Sequence, residues 1–95
     1  MKVKAAVLLG PRKIEVQLVE LPALTATQML VRVTSCGLCH SEVGRYLGKA
    51  TTWQGDPLTF PVRLGHEPAG IVEEVGRAVE RFKAGDRVTG IGFRR

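Results

Sequence analysis

A chain of 95 residues has room for one domain, and at this size folding removes only roughly 60–70% of the unfolded surface from water. Its make-up is that of a water-soluble globular protein, 44% hydrophobic and 24% charged, with a mean hydropathy of +0.04. The net charge of +5 would suit a polyanionic partner, but Lys and Arg are spread singly between acids such as Glu73, Glu74 and Glu80. Basic neighbours occur only at Arg12–Lys13 and Arg94–Arg95, which argues against nucleic acid as a partner.

Lys2 to Leu9 reads as a strand, and Gly10-Pro11 as the turn that follows it. That turn cuts the first apolar run too short for a secretory leader, and no stretch approaches the ~20 apolar residues of a spanning helix. The chain is therefore expected to be cytoplasmic, with no membrane partner and with its two cysteines reduced. Lys13 to Glu20 alternates Ile14, Val16 and Leu18 with Glu15, Gln17 and Val19, the period-2 pattern of a half-buried strand. The two strands should form a hairpin, closed off by Leu21-Pro22.

A third strand is expected over Met29 to Thr34, followed by a loop from Ser35 to His40. Ser41 reads as an N-cap, with Glu42 in the first turn of a short helix reaching about Leu47 and stopped by Gly48. Lys49 to Pro61 reads as a long surface loop, whose Trp53, Leu58 and Phe60 either line a pocket or simply pack. Val62 to Leu64 is a short extended piece, Gly70 to Val75 a strand, Lys83 to Asp86 a turn and Arg87 to Ile91 a last strand. Many short strands with turn signals between them predict a mainly β fold, a small barrel with one or two short helices.

Three segments carry chemistry: Cys36-Gly37-Leu38-Cys39-His40-Ser41-Glu42, Gly65-His66-Glu67 and Gly85-Asp86-Arg87-Val88. The Cys-x-x-Cys spacing admits half of a structural zinc site, but no second Cys or His pair follows it. It also admits a redox dithiol, which usually opens a helix in a βαβ unit, whereas this chain reads as β-rich. With His40 it matches the c-type haem attachment pattern; the scarcity of helix and of Met residues to serve as axial ligand weighs against that. A fourth reading takes one thiol only. A catalytic zinc uses three protein ligands and leaves a position open, and Cys36 and His66, each at a strand end beside glycine, suit such a site.

In order and separation, these segments and the Gly65-His66-Glu67-x-x-Gly70-x-Val72-x-x-Val75-Gly76 pattern resemble the zinc-containing alcohol dehydrogenases of the medium-chain dehydrogenase/reductase family. The resemblance covers almost the whole chain. It implies a GroES-like, partly open β-barrel over residues 1–95 that holds substrate and catalytic zinc. By the same resemblance Cys36 and His66 are zinc ligands, and Glu67 is an acidic neighbour able to join them. Ser41 holds the alcohol oxygen and starts a proton relay. His40 meets the cofactor diphosphate or passes the proton on, and Glu42 orients the zinc-bound His. Cys39 carries no ligand role and reads as a small packed thiol.

The implied reaction oxidises an alcohol to an aldehyde or ketone by hydride transfer to NAD or NADP. Zinc acts as the Lewis acid that brings the alcohol pKa towards neutrality. The sequence also departs from the family pattern. Position 42 is Glu where Asp is common, the family's last zinc thiolate comes from a segment beyond this one, and 89–95 contain no cysteine of a structural-zinc lobe. Gly90-x-Gly92 is only a fragment of a dinucleotide fingerprint, so a Rossmann cofactor domain is expected outside this chain, which is then a fragment, a truncated gene product or one subunit completed by another chain; a Rossmann-domain chain or a homo-oligomer is the expected partner. The isolated chain is then expected to be inactive. Two other readings stand beside this one: a zinc-binding GroES-like interaction module without catalysis, and a redox dithiol protein.

Overall fold

A computed structural model describes residues 1–49, 51 and 55–90. The elements, in chain order, are β1 (Lys2–Gly10), β2 (Lys13–Glu20), β3 (Met29–Cys36), α1 (His40–Tyr46), β4 (Val62–Arg63), β5 (Pro68–Val75) and β6 (Arg87–Thr89). The fold is thus mainly β with one short helix among the described residues, as the GroES-like expectation has it. The strands form two three-stranded antiparallel sheets, β2-β1-β4 and β3-β5-β6, which share no strand and do not close into a barrel. Each sheet belongs to its own compact unit. The first contains Met1–Leu21 and Leu38–Gly65; the second contains Pro22–Gly37 and His66–Arg94. Trp53 and Ile91 lie outside the described residues.

In the first unit, β1 and β2 pair along their length from Lys2↔Glu20 to Gly10↔Lys13, with an irregularity at Leu9. Pro11 and Arg12 make the turn, Arg12 at φ 62, where its N–H donates to the Tyr46 carbonyl at 2.6 Å. The hairpin tip is thereby fastened to the end of α1. Gly48 follows that helix at φ +75, and a Cβ there would come within 2.7 Å of Pro11 Cγ, so a glycine is needed on both counts. Val7 and Leu8 are the buried apolar residues among those described in this unit.

The expected burial of β2 is reversed. Ile14, Val16 and Leu18 are 49%, 67% and 67% exposed, whereas Gln17 and Val19 on the other face are half-buried. Alternation reveals that a strand has two unlike faces, but not which face finds a cover.

The second unit is built on the β3–β5 ladder, whose register shifts twice. Leu30 faces Glu74 but Val31 faces Val72, so Glu73 is an extra residue on β5. Val33 faces Gly70 but Ser35 faces Ala69, so Thr34 is an extra residue on β3. The shifts are opposite and cancel. Both extra residues are held by side-chain bonds: Arg32 Nε donates to Glu73 Oε1 at 2.7 Å, and Thr34 Oγ1 donates to the Ala69 carbonyl at 3.3 Å. The strand therefore continues past the expected end at Thr34 to Cys36, and β5 starts at Pro68, two residues before the expected Gly70.

The strand glycines here are packing requirements. A Cβ on Gly70 would run into the Arg32 carbonyl, and one on Gly76 into the carbonyls of Thr25 and Ala26. Val72 between them is 2% exposed. Midway along β5, the Gly85 N–H donates to the Val72 carbonyl at 2.8 Å and the Val72 N–H to the Asp86 carbonyl at 2.9 Å, leading the chain into β6.

Candidate functional site

The residues singled out by the sequence fall into one group in each unit. Cys36, His66 and Glu67 belong to the second, and Cys39, His40, Ser41 and Glu42 to the first.

The β3–β5 ladder delivers the first group. Its last pair sets Cys36 opposite Pro68, a residue suited to the start of a strand. One step further, the Gly37 N–H donates to the Glu67 carbonyl at 2.9 Å. A Cβ on Gly37 would sit 3.2 Å from Glu67 Oε2, so the missing side chain gives the carboxylate its place beside the Cys36 strand end. Cys36 is exposed, its thiol 3.8 Å from the Gly37 carbonyl, and His66 is half-buried. Neither cysteine is in a disulfide.

The second group sits on α1. The helix opens two residues earlier than expected. Cys39, extended at φ −90 and ψ 146, holds the N-cap position without a side-chain cap bond, and Ser41 lies inside the first turn. The Glu42 N–H donates to the Cys39 carbonyl at 2.9 Å, and Ser41 Oγ donates to Cys39 Sγ at 3.2 Å. A hydroxyl that donates once still has two lone pairs to offer. His40 and Ser41 are exposed.

Glu42 is 7% exposed, the buried charged residue among those described. Its Oε1 accepts the backbone N–H of Gly65 at 3.1 Å, and Arg45 Nη1 stands 4.0 Å from Oε2. Gly65 adopts φ +94 and immediately precedes His66, so the carboxylate holds the backbone from which the His66 segment departs. Arg45 was not singled out from the sequence; the signal for it was its i,i+3 spacing from Glu42 on one helix face. Gly37, read only as a motif residue, is the other participant that emerges.

In the third segment, Asp86 is a turn residue. Its Oδ2 accepts the Lys83 backbone N–H at 3.1 Å and its Oδ1 the Lys83 ammonium at 3.2 Å. The backbone bond, then the side-chain bond, hold its carboxyl below the usual value of 3.8.

A thiol, an imidazole and a carboxylate form a donor set that zinc accepts, and a free, exposed thiol is open to a metal. No helix of the described residues is long and apolar enough to cross a membrane.

Residues 25–93 match the family model of the alcohol dehydrogenase GroES-like domain. Over 86 residues the chain is 40% identical to an alcohol dehydrogenase of Geobacillus stearothermophilus, covering 90% of this chain and 24% of that protein. It is 38% identical over 91 residues to the (R,R)-butanediol dehydrogenase of Bacillus subtilis (strain 168), covering 90% and 26%. Among solved structures, the alcohol dehydrogenase TADH from Thermus sp. ATN1 superposes with a TM-score of 0.78 at 33% identity, covering 93% of this chain and 24% of that one. The chain thus spans about a quarter of the length of the relatives it matches. With the family model covering most of its length, the chain belongs to the alcohol dehydrogenase GroES-like domain family.

Proposed function

We propose that this chain is the zinc- and substrate-holding part of a zinc-dependent alcohol dehydrogenase that oxidises a small alcohol to an aldehyde or ketone with NAD or NADP, in the cytoplasm. The observation that carries the reading is the compensated β3–β5 ladder, which ends with Cys36 opposite Pro68 and with Gly37 bonded to Glu67. Cys36 and His66 would hold the metal, with Glu67 as the acidic neighbour. Bound there, zinc supplies a Lewis acid for the alcohol oxygen.

The remaining residues bind, orient and move protons. Ser41 accepts the alcohol proton on its free lone pairs and passes its own hydroxyl proton on. His40, exposed at the start of α1, offers a hydrogen bond to the cofactor diphosphate or continues the relay. Glu42 holds the backbone N–H of Gly65, the residue that precedes His66 in sequence, and is the carboxylate that would orient the imidazole. The nicotinamide cofactor is bound mainly outside this chain, by a domain in the same protein or on a partner.

Zinc titration followed by elemental analysis tests the site. The chain should bind zinc, and Cys36→Ser and His66→Ala should each weaken binding by more than about tenfold, since the loss even of an outer partner costs about 10–100-fold. Equal zinc binding by all three proteins would remove the site. With zinc, NAD and a panel of alcohols, the chain alone should form no NADH; its appearance would show that the chain is a complete enzyme.

A further inference from the structure

We infer that strand β2 is a self-association edge, along which two copies of this chain pair antiparallel into one continuous six-stranded sheet. β2 is the outer strand of the β2-β1-β4 sheet, so along its length every second residue turns its N–H and C=O away from β1. The apolar residues Ile14, Val16 and Leu18 on one of its faces are 49%, 67% and 67% exposed. An edge with that pattern is a template for another strand.

The sequence of β2 selects a copy of itself as the partner, and selects the register. A two-fold axis through Val16 sets Val16 against Val16, Ile14 against Leu18 and Arg12 alongside Glu20, so that the apolar face is continuous and opposite charges meet at both ends. On the reverse face the same axis sets Glu15 against Gln17 and Lys13 against Val19, with no like charges directly opposite. Moving the axis to Gln17 would set Ile14 against Glu20, and moving it to Glu15 would set Glu15 against Glu15. Both neighbouring registers therefore place a charge badly, and the one through Val16 does not.

Sedimentation velocity across a concentration series tests the association. The chain should form a dimer. Val16→Lys, a change at a side chain already 67% exposed in the single chain, should keep the far-UV circular dichroism and weaken dimerisation by about tenfold or more, because it sets two ammonium groups opposite each other. Leu38→Lys, at a 94% exposed leucine outside the sheet, should leave the dimer unchanged and so separates a specific edge from general stickiness. The register is read with a short thiol crosslinker in a Cys36→Ser, Cys39→Ser background. V16C should crosslink to itself and I14C to L18C, while I14C should not crosslink to itself. A chain that stays monomeric throughout, a dimer indifferent to Val16→Lys, or efficient I14C self-crosslinking would each overturn the inference.

Discussion

Asp86 shows how a residue in a functional-looking motif can be explained by local bonding. Its carboxylate accepts two bonds from Lys83, its carbonyl accepts the Val72 N–H, and together they close the turn that leads β5 into β6. A carboxyl held below its ordinary value of 3.8 contributes stability that is complete above that value and is lost as pH falls through the lower, folded value. The gap in urea midpoint between the wild type and Asp86→Asn should therefore be constant near neutrality and narrow on acidification below about 3.8. A gap that stayed constant to the lowest pH at which the chain folds would mean that the charge contributes nothing there. Gly70 and Gly76 make a similar point: a Cβ on either would strike backbone carbonyls, which a sequence without coordinates does not disclose.

Among the elements, α1 stands out because its buried carboxylate reaches a backbone amide well beyond the helix. Glu42 ties the helix to Gly65, whose φ of +94 only glycine adopts at little cost. Glu42→Ala would strand the Gly65 N–H beside Arg45 and should lower stability by about 1.5–3 kcal/mol, the range for hydrogen bonds to charged groups. Glu42→Gln, which retains an acceptor, should recover part of that loss. Urea unfolding at neutral pH measures both, and a Glu42→Ala cost under about 0.5 kcal/mol would show the bond to be incidental. The helix itself was legible from Glu42 and Gly48, but its first residue was not, because a cysteine without a cap bond takes the place where Ser41 was expected. The strands were legible from alternation and turn residues. The extension of β3 to Cys36 was hidden, since it depends on where Glu73 and Thr34 drop out of the ladder.

For the whole molecule, a composition that is 44% hydrophobic translates into little buried apolar matter. Among the described residues only Val7, Leu8 and Val72 are buried hydrophobics, while Val33, Val43 and Phe82 join the β2 residues at 42% exposure or more. With so few, each one matters. Leu8→Ala, at a fully buried position, should cost about 2–5 kcal/mol, a large share of the ~5–15 kcal/mol typical of a domain, whereas Ile14→Ala should cost less than about 1 kcal/mol under monomeric conditions. Similar urea midpoints for the two variants would contradict this division of the core. Family membership was legible because the motifs survive as residue types in order; the partition of β2 was not, because burial is decided by neighbours distant in sequence. The paired bulges also bear on how such a chain tolerates insertions and deletions. Each bulge absorbs its own extra residue: losing Thr34 alone would leave Val33 opposite Gly70 and Cys36 opposite Pro68 in an unbroken ladder, and losing Glu73 alone would do the same for Leu30 opposite Glu74 and Val31 opposite Val72. Either length change should therefore be inherited independently of the other across the descendants of a common ancestor.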